Sequence, residues 1–313
     1  MRGFLNVDKP PGMTSFDVVR RVRRAAAIKR VGHAGTLDPA ATGVLPLALG
    51  EATRLVDELV GAGKRYHAEV LLGRTTDTYD LDGEVTAERD ASHVTREAVE
   101  RALQAFVGEI MQTPPAYSAV KRGGVPAYRA ARRGDPLALE PRPVVVYDLD
   151  ILDVTPVDGR LARVVLDVQC GRGFYVRSLA HDLGEVLGTG GTLSALRRTQ
   201  VGPFQAADAT PLDTACAMLE AGATERLVHA PDVVLPGWPA LILGAEQTAR
   251  VRQGLEVSAP LAAGSSAARA GRTQQRQARA YGPSGDLVAL LEQAAGAGLW
   301  HPYRVFQTAT PSQ

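Results

Sequence analysis

Cysteine is scarce in this sequence: Cys170 and Cys216 are the only two among 313 residues, and they form no Cys-x-x-Cys pair. Two such residues support no disulfide framework, and the simplest expectation is a reducing, cytoplasmic setting. The six histidines (33, 67, 93, 181, 229 and 301) are scattered, with no His-Glu-x-x-His segment or other ligand cluster, so no metal and no cofactor is expected. Long apolar runs are missing too. The longest uncharged apolar stretch, Pro39 to Gly50, is short and rich in Pro and Gly, and the first thirty residues hold arginines where a secretory signal needs an apolar core. A soluble chain with no membrane contact is expected. Lysine is rare as well, with 4 against 31 arginines, a bias that fits a GC-rich genome better than a function.

Net charge is nearly absent at +1, but its distribution is uneven. Arg20, Arg21, Arg23, Arg24, Lys29 and Arg30 place six cations in eleven residues, and Lys121, Arg122, Arg129, Arg132 and Arg133 form a second group. Between Leu55 and Ile110 the balance reverses to twelve acids against six bases. Such a dipolar surface steers a polyanion to one face without making the whole molecule adhesive, although solvated helix faces give the same pattern.

Gly3 to Asp8 reads as a strand, followed by a helix with Ser15 as N-cap and an inner stripe of Phe16, Val19, Val22 and Ala26. Gly32 to Pro39 is expected to be irregular. Tyr66 to Leu72 alternates as a strand, Thr95 to Phe106 fits a helix on Val99, Leu103 and Phe106, and Val144–Val154 pairs with Leu161–Cys170 around Asp158-Gly159. An amphipathic helix follows on Val176, Leu179, Ala180, Leu183, Val186 and Leu187. No βαβ rhythm emerges, so the fold class is α+β. Prolines around 231–239 mark a boundary, giving domains at 1–232 and 238–313. The second part carries a helix at Ala245–Gln253, a strand at Asp286–Leu291, and a low-complexity Ala/Arg/Gln/Gly stretch at 262–280 that reads as an RNA-brushing loop or a plain insertion.

The densest signal runs Val31-Gly-His-Ala-Gly-Thr-Leu-Asp-Pro-Ala-Ala-Thr-Gly-Val-Leu-Pro46. It is a glycine-bearing loop that lets backbone approach a ligand and carries one carboxylate, Asp38. Asp followed by Pro also suits a helix N-cap, so both readings stand at this point. The acidic run Asp77, Asp80, Asp82, Glu84 lacks the spacing of a calcium loop.

That segment resembles the catalytic motif of the TruB family of tRNA pseudouridine synthases at every fixed position. The likeness continues in order through Gly3 to Pro10 with Gly12-Met-Thr-Ser15, Lys64-Arg-Tyr66, Thr76-Asp-Thr-Tyr-Asp80 with Gly83, Pro115 to Lys121, Tyr128 with Ala131-Arg132 and Gly134, and Cys170 to Arg177. It implies a pseudouridine-synthase fold: a mixed, mainly antiparallel sheet flanked by helices, plus a small β-rich, PUA-like C-terminal domain. It implies an isomerase acting on uridine 55 in the T-loop of tRNA, working as a monomer and gripping the acceptor end through that second domain.

By the same resemblance Asp38 is the catalytic carboxylate, Arg177 the arginine that pairs with it and lowers its pKa, Tyr66 the aromatic that stacks on the base, and Leu196 an apolar pocket residue. Core packing is the alternative for Tyr66 and Leu196, and a solvated helix cation for Arg177. His33 is expected to fill the space vacated in the RNA loop, Lys29, Arg30, Lys64 and Lys121 to meet phosphates, and Tyr175 to lie on the RNA side while supporting Arg177. Asp77 and Asp80 are expected to serve loop structure. An RNA chaperone whose binding matters more than its chemistry is the alternative function. The related RNA-guided synthases carry terminal extensions, whereas this sequence starts at the catalytic-domain strand.

Overall fold

In the computed structural model, which describes residues 1–118, 120–131, 133–135, 137–262, 276–294 and 298–307, the main sheet is built from elements in this chain order. Strand β1 (Gly3–Lys9), helix α1 (Ser15–Ala25), and strands β2 (Val31–His33), β3 (Thr42–Leu49) and β4 (Lys64–Leu72) come first. Helix α2 (Arg96–Leu103), strands β5 (Gly108–Gln112), β6 (Arg142–Val157) and β7 (Leu161–Cys170), helix α3 (Val176–Val186) and strand β8 (Gly191–Val201) follow. The strands lie side by side as β1-β3-β8-β4-β7-β6-β5, with the short strand Thr210–Pro211 beyond β1. Among the described residues only the β3–β8 pair and the Thr210–Pro211 edge of this sheet are parallel, so it is mixed and mainly antiparallel as expected.

Alternation sets the faces. On β4, Tyr66, Ala68, Val70 and Leu72 are buried and share a core with Val164, Leu166 and Val168 of β7 and with Leu179 and Leu183 of α3. Each buried Val or Leu among them contributes about 1.5–3 kcal/mol by leaving water. The β6–β7 hairpin turns on Asp158 and Gly159, both at positive φ (49° and 68°), the mirror-image turn that matches strand twist.

Helix α1 departs from expectation in two ways. Its cap is Thr14, whose hydroxyl accepts from Asp17 N at 3.1 Å while the Asp17 carboxylate accepts from Thr14 N at 3.2 Å. Ser15 is instead buried, and its hydroxyl exchanges hydrogen bonds with the backbone of Leu37. The inward stripe is therefore Ser15, Val18, Val19 and Val22, which rotates Phe16 out to 61% exposure. Gly32 and His33, expected to be irregular, lie in β2 and pair with β3. The helix at 96–103 continues as a 3₁₀ turn through Phe106, with Val99, Leu103 and Phe106 inward as expected.

A second, five-stranded sheet is ordered Ala240–Ile242, Gln277–Tyr281, Leu287–Gln293, Leu299–Val305, Val257–Ser258. Leu287 and Leu290 from it, with Phe306 just past its Leu299–Val305 strand, share a core with Phe4, Val44 and Ala48 of the main sheet. Residues 263–275 of the arginine-bearing stretch, Arg132 and the side chain of Lys121 lie outside what is described. No helix among the described residues is long and apolar enough to cross a membrane.

Gly43 shows how tightly β3 meets β8. It sits at φ +99°, and a Cβ there would come within 2.2 Å of the Arg198 carbonyl oxygen. Gly43→Ala should cost more than about 3 kcal/mol in urea unfolding, whereas Gly159→Ala, at positive φ but in open space, should cost about 1 kcal/mol.

Candidate active site

Asp38 opens no helix. Residues 38–41 make a turn closed by the Ala41 amide donating to the Asp38 carbonyl at 3.1 Å, and strand β3 begins at Thr42, which removes the capping reading. Its carboxylate faces Arg177 at the start of α3, with Nε at 2.9 Å from Oδ2. Arg177 is 7% exposed. Its Nη1 donates to the Thr78 carbonyl at 3.1 Å and its Nη2 to the Tyr117 carbonyl at 3.0 Å, while Asp80 Oδ2 lies 3.4 Å from Nη1. The guanidinium thus joins three segments remote in sequence. Asp80, expected to serve only its own loop, is part of this group.

The electrostatics reverse one expectation. Arg177 does pull the Asp38 pKa down, but burial pushes it up more strongly, and the Asp80 and Asp82 charges add to the rise. Yet 42% of the Asp38 side-chain surface still meets solvent. The two facts agree in a concave wall: protein crowds the carboxylate on most sides and strips its water, while one side stays open to a ligand.

The loop carrying Asp38 is held by buried cations through its backbone. Lys9, fully buried, donates to the carbonyls of Pro10 (2.9 Å), Pro39 (3.0 Å) and Ala41 (2.7 Å). Burial brings its pKa down to about 8 despite the attraction of Asp38. Arg198, 1% exposed, donates to the carbonyls of Val44 (2.8 Å), Gly35 (3.1 Å) and Thr36 (3.4 Å). Arg197, next along β8, forks onto Asp8 at 3.1 and 2.8 Å. None of these three carries an expected role from the sequence. Their signals were present: Lys9 is one of four lysines, and Arg197 and Arg198 follow Leu196 directly.

A cavity of about 310 Å³ is lined by Asp38, Tyr66, Tyr175, Arg177, Leu196 and Arg198, with Lys64 and Arg172 on its wall. The register puts Leu196 opposite Ala68 and Arg198 opposite Tyr66, so these side chains share one face. Tyr66 is 8% exposed, and burial raises its hydroxyl pKa against the pull of Arg198. Lys64 Nζ donates to the Val60 and Ala62 carbonyls, and its pKa is lowered first by burial and then by Arg198. Gln112 fixes Tyr175 by accepting from its amide at 2.8 Å and donating to its carbonyl at 3.0 Å. Behind Arg177, the Tyr79 ring stacks on His181 at 4.0 Å, bracing the loop that supplies Thr78 and Asp80. Lys29, Arg30 and His33 stand outside this lining. Lys29 and Arg30 are exposed between α1 and β2, while His33 is half-buried, with its pKa lowered by burial and its Nδ1 lacking a hydrogen-bond partner among the described residues. On the other side of Asp38 a cavity of about 400 Å³ is lined by Glu69, Asp80 and Asp82 with His67 and Arg197.

A family model for the TruB pseudouridylate synthase N-terminal domain matches residues 23–176, and one for the tRNA pseudouridylate synthase B C-terminal domain matches residues 177–236. The chain is 43% identical to tRNA pseudouridine synthase B of Paenarthrobacter aurescens over 93% of this chain and 91% of that one. It is 38% identical to the protein of the same name in Dehalococcoides mccartyi, over 100% and 99% of the two chains. The chain belongs to the TruB family. Among solved structures it resembles a chain of a Cbf5–Nop10–Gar1 complex, with TM-score 0.69 and 28% identity over 97% of this chain and 85% of that one. The TruB C-terminal match covers α3, β8 and the main-sheet edge up to residue 236, and so ends before the small sheet at Ala240.

Two outcomes test the electrostatics of this TruB site. A carboxylate whose folded pKa exceeds its unfolded one gives up its proton later in the native state, so its ionisation costs stability as pH rises through that interval. Asp38→Asn should therefore melt at neutral pH no lower than the parent; a clear drop would show that the Arg177 pair outweighs burial. The acidic limb of a kcat/KM profile should lie above that of an ordinary aspartate, and Asp80→Asn should move it toward lower pH.

Proposed function

We propose that this chain is a tRNA pseudouridine synthase that isomerises uridine 55 of the T-loop. The reaction transfers C1′ of the ribose from N1 to C5 of the uracil, and the C5 proton is replaced by one on N1. Atoms and electrons balance within the nucleotide, so the groups needed are a carboxylate at the ribose and base, an aromatic surface and cations for the phosphates.

The observation that carries this reading is the Asp38–Arg177 pair, 2.9 Å apart on the wall of a pocket that also presents Tyr66 and Leu196. Asp38 is the catalytic carboxylate, held in place by Arg177. Tyr66 receives the flipped base on its ring, and Leu196 packs the pocket beside it. Extruding a base costs a few kcal/mol, and stacking on an aromatic ring returns about 1–3 kcal/mol. The sign of the charge selects the route: a polyanion approaches over Lys64 and Arg172 rather than over Glu69, Asp80 and Asp82. We assign Lys29, Arg30 and Lys121 to phosphate contacts, His33 to the space vacated in the RNA loop, and Tyr175 to the RNA side beside Arg177. We assign residues 1–232 to catalysis and 238–313, with Arg250 and Arg252 on the small sheet's helix, to the acceptor end of a tRNA bound by a cytoplasmic monomer.

Purified protein incubated with unmodified tRNA and no added cofactor should yield pseudouridine in the T-loop by mass-shift labelling. Asp38→Asn should yield none while still binding tRNA; residual product would remove Asp38 from its role. Tyr66→Phe should retain binding but lose roughly 100-fold or more in turnover, and an unchanged rate would reduce Tyr66 to packing. Raising salt from 50 to 200 mM should weaken tRNA binding by at least about tenfold, since each phosphate contact releases counterions.

A further inference from the structure

Strand β6 contains a bulge beside the pocket. Val146 pairs with Cys170 and Asp148 with Gln169, which leaves Tyr147 as an extra residue against β7. Before the bulge Val144 and Val146 are buried; after it Leu149 and Ile151 pack on the core. Regular alternation would have carried Asp148 inward with Val146. The extra residue avoids this and turns Tyr147 out together with Asp148, leaving the tyrosine 57% exposed. Bulges of this kind re-aim side chains and are common beside active sites.

The ring lies along a strip of bare backbone. A Cβ added to Gly63 would sit 3.9 Å from Tyr147 Cε2, and one added to Gly171 would sit 3.3 Å from its Oη. Those glycines precede two cations of the pocket wall: Gly63 leads into Lys64, and Gly171, itself a lining residue, leads into Arg172. The Gly171 amide donates to the Val145 carbonyl at 2.8 Å, which fixes the rim to β6 just before the bulge. Tyr147 is thus an exposed aromatic on a rigid strand at the cationic edge of the cavity that holds Asp38. The folded chain gains little from leaving such a ring in water. A nucleotide whose neighbour has been drawn into the pocket, by contrast, has lost a stacking partner and carries a phosphate toward Lys64 and Arg172.

We propose that Tyr147 is a stacking platform for a nucleobase adjoining the flipped uridine in the RNA strand. This rests on the RNA-modifying reading above and adds a second base-binding position to it.

The test uses a T-arm stem-loop with 2-aminopurine placed in turn on either side of the target uridine. Wild-type protein should quench the fluorophore at one of the two positions on binding. Tyr147→Ala should abolish that quench and weaken RNA binding about 5- to 150-fold, the range for loss of one stacked base, with single-turnover rate at saturation nearly unchanged. Tyr147→Phe should behave as wild type. Tyr147→Leu keeps apolar bulk without a π face and should resemble Tyr147→Ala; if it resembles Tyr147→Phe instead, the ring is only packing and the proposal is overturned. Equal binding and quench in wild type and Tyr147→Ala would overturn it as well, while pseudouridine made by wild type would leave the enzymatic reading standing. A wild type that makes no pseudouridine overturns both.

Discussion

Arg177 is a buried cation with its donors spent on three separate stretches of chain. The carboxylate of Asp38, the carbonyl of Thr78 with the carboxylate of Asp80, and the carbonyl of Tyr117 all converge on one planar group at the start of a helix. A guanidinium presents its donors in a fixed fork, so it defines where each of these segments stands. Taking that charge out of water is expensive, and only several well-placed acceptors offset the cost. The loop of Asp38, the Thr76–Asp80 turn and the Pro115–Ser118 segment are consequently positioned together.

Lys9 and Arg198 apply the same device to the other side of the Asp38 loop, using carbonyl oxygens rather than carboxylates. Because their partners are uncharged, these cations add positive potential to the site without neutralising it. Asp38 then sits among Lys9, Arg177 and Arg198 on one side and Asp80 and Asp82 on the other, and its proton affinity reflects the lost water more than any single neighbour. Ionising a carboxylate in such surroundings costs the fold stability. The geometry makes that charge available to a ligand entering the open side of the pocket.

The sheet supplies the stiffness this arrangement needs. Tyr66, Leu196 and Arg198 reach the pocket from two neighbouring strands whose register is locked by the buried face of β4. The close passage of Gly43 by Arg198 brings the exit of the Asp38 loop against the same strand. Ser15 adds a tie from helix α1 to Leu37, one residue before the aspartate. With Arg177 on a helix and Tyr66, Leu196 and Arg198 on strands, the site is held by scaffold rather than by loops alone.

Local pattern alone specified much of this molecule. Period-two alternation marked Tyr66–Leu72 and the 144–170 hairpin, helical spacing marked 95–106 and 176–187, and three short motifs, by their likeness to TruB proteins, named Asp38, Tyr66 and Arg177. These features are written in neighbouring residues, so they survive without knowledge of the fold. The turn of Phe16 outward, the capping by Thr14 in place of Ser15, the recruitment of Asp80 by Arg177, the burial of Lys9 and Arg198, and the bulge at Tyr147 were decided only in three dimensions. Each depends on groups far apart in sequence meeting in a dry interior, where the balance of lost hydration against new partners has no signature in the order of the residues. The direction of the Asp38 pKa belongs with them: a neighbouring arginine argued for one sign, and the crowding of the folded cleft imposed the other.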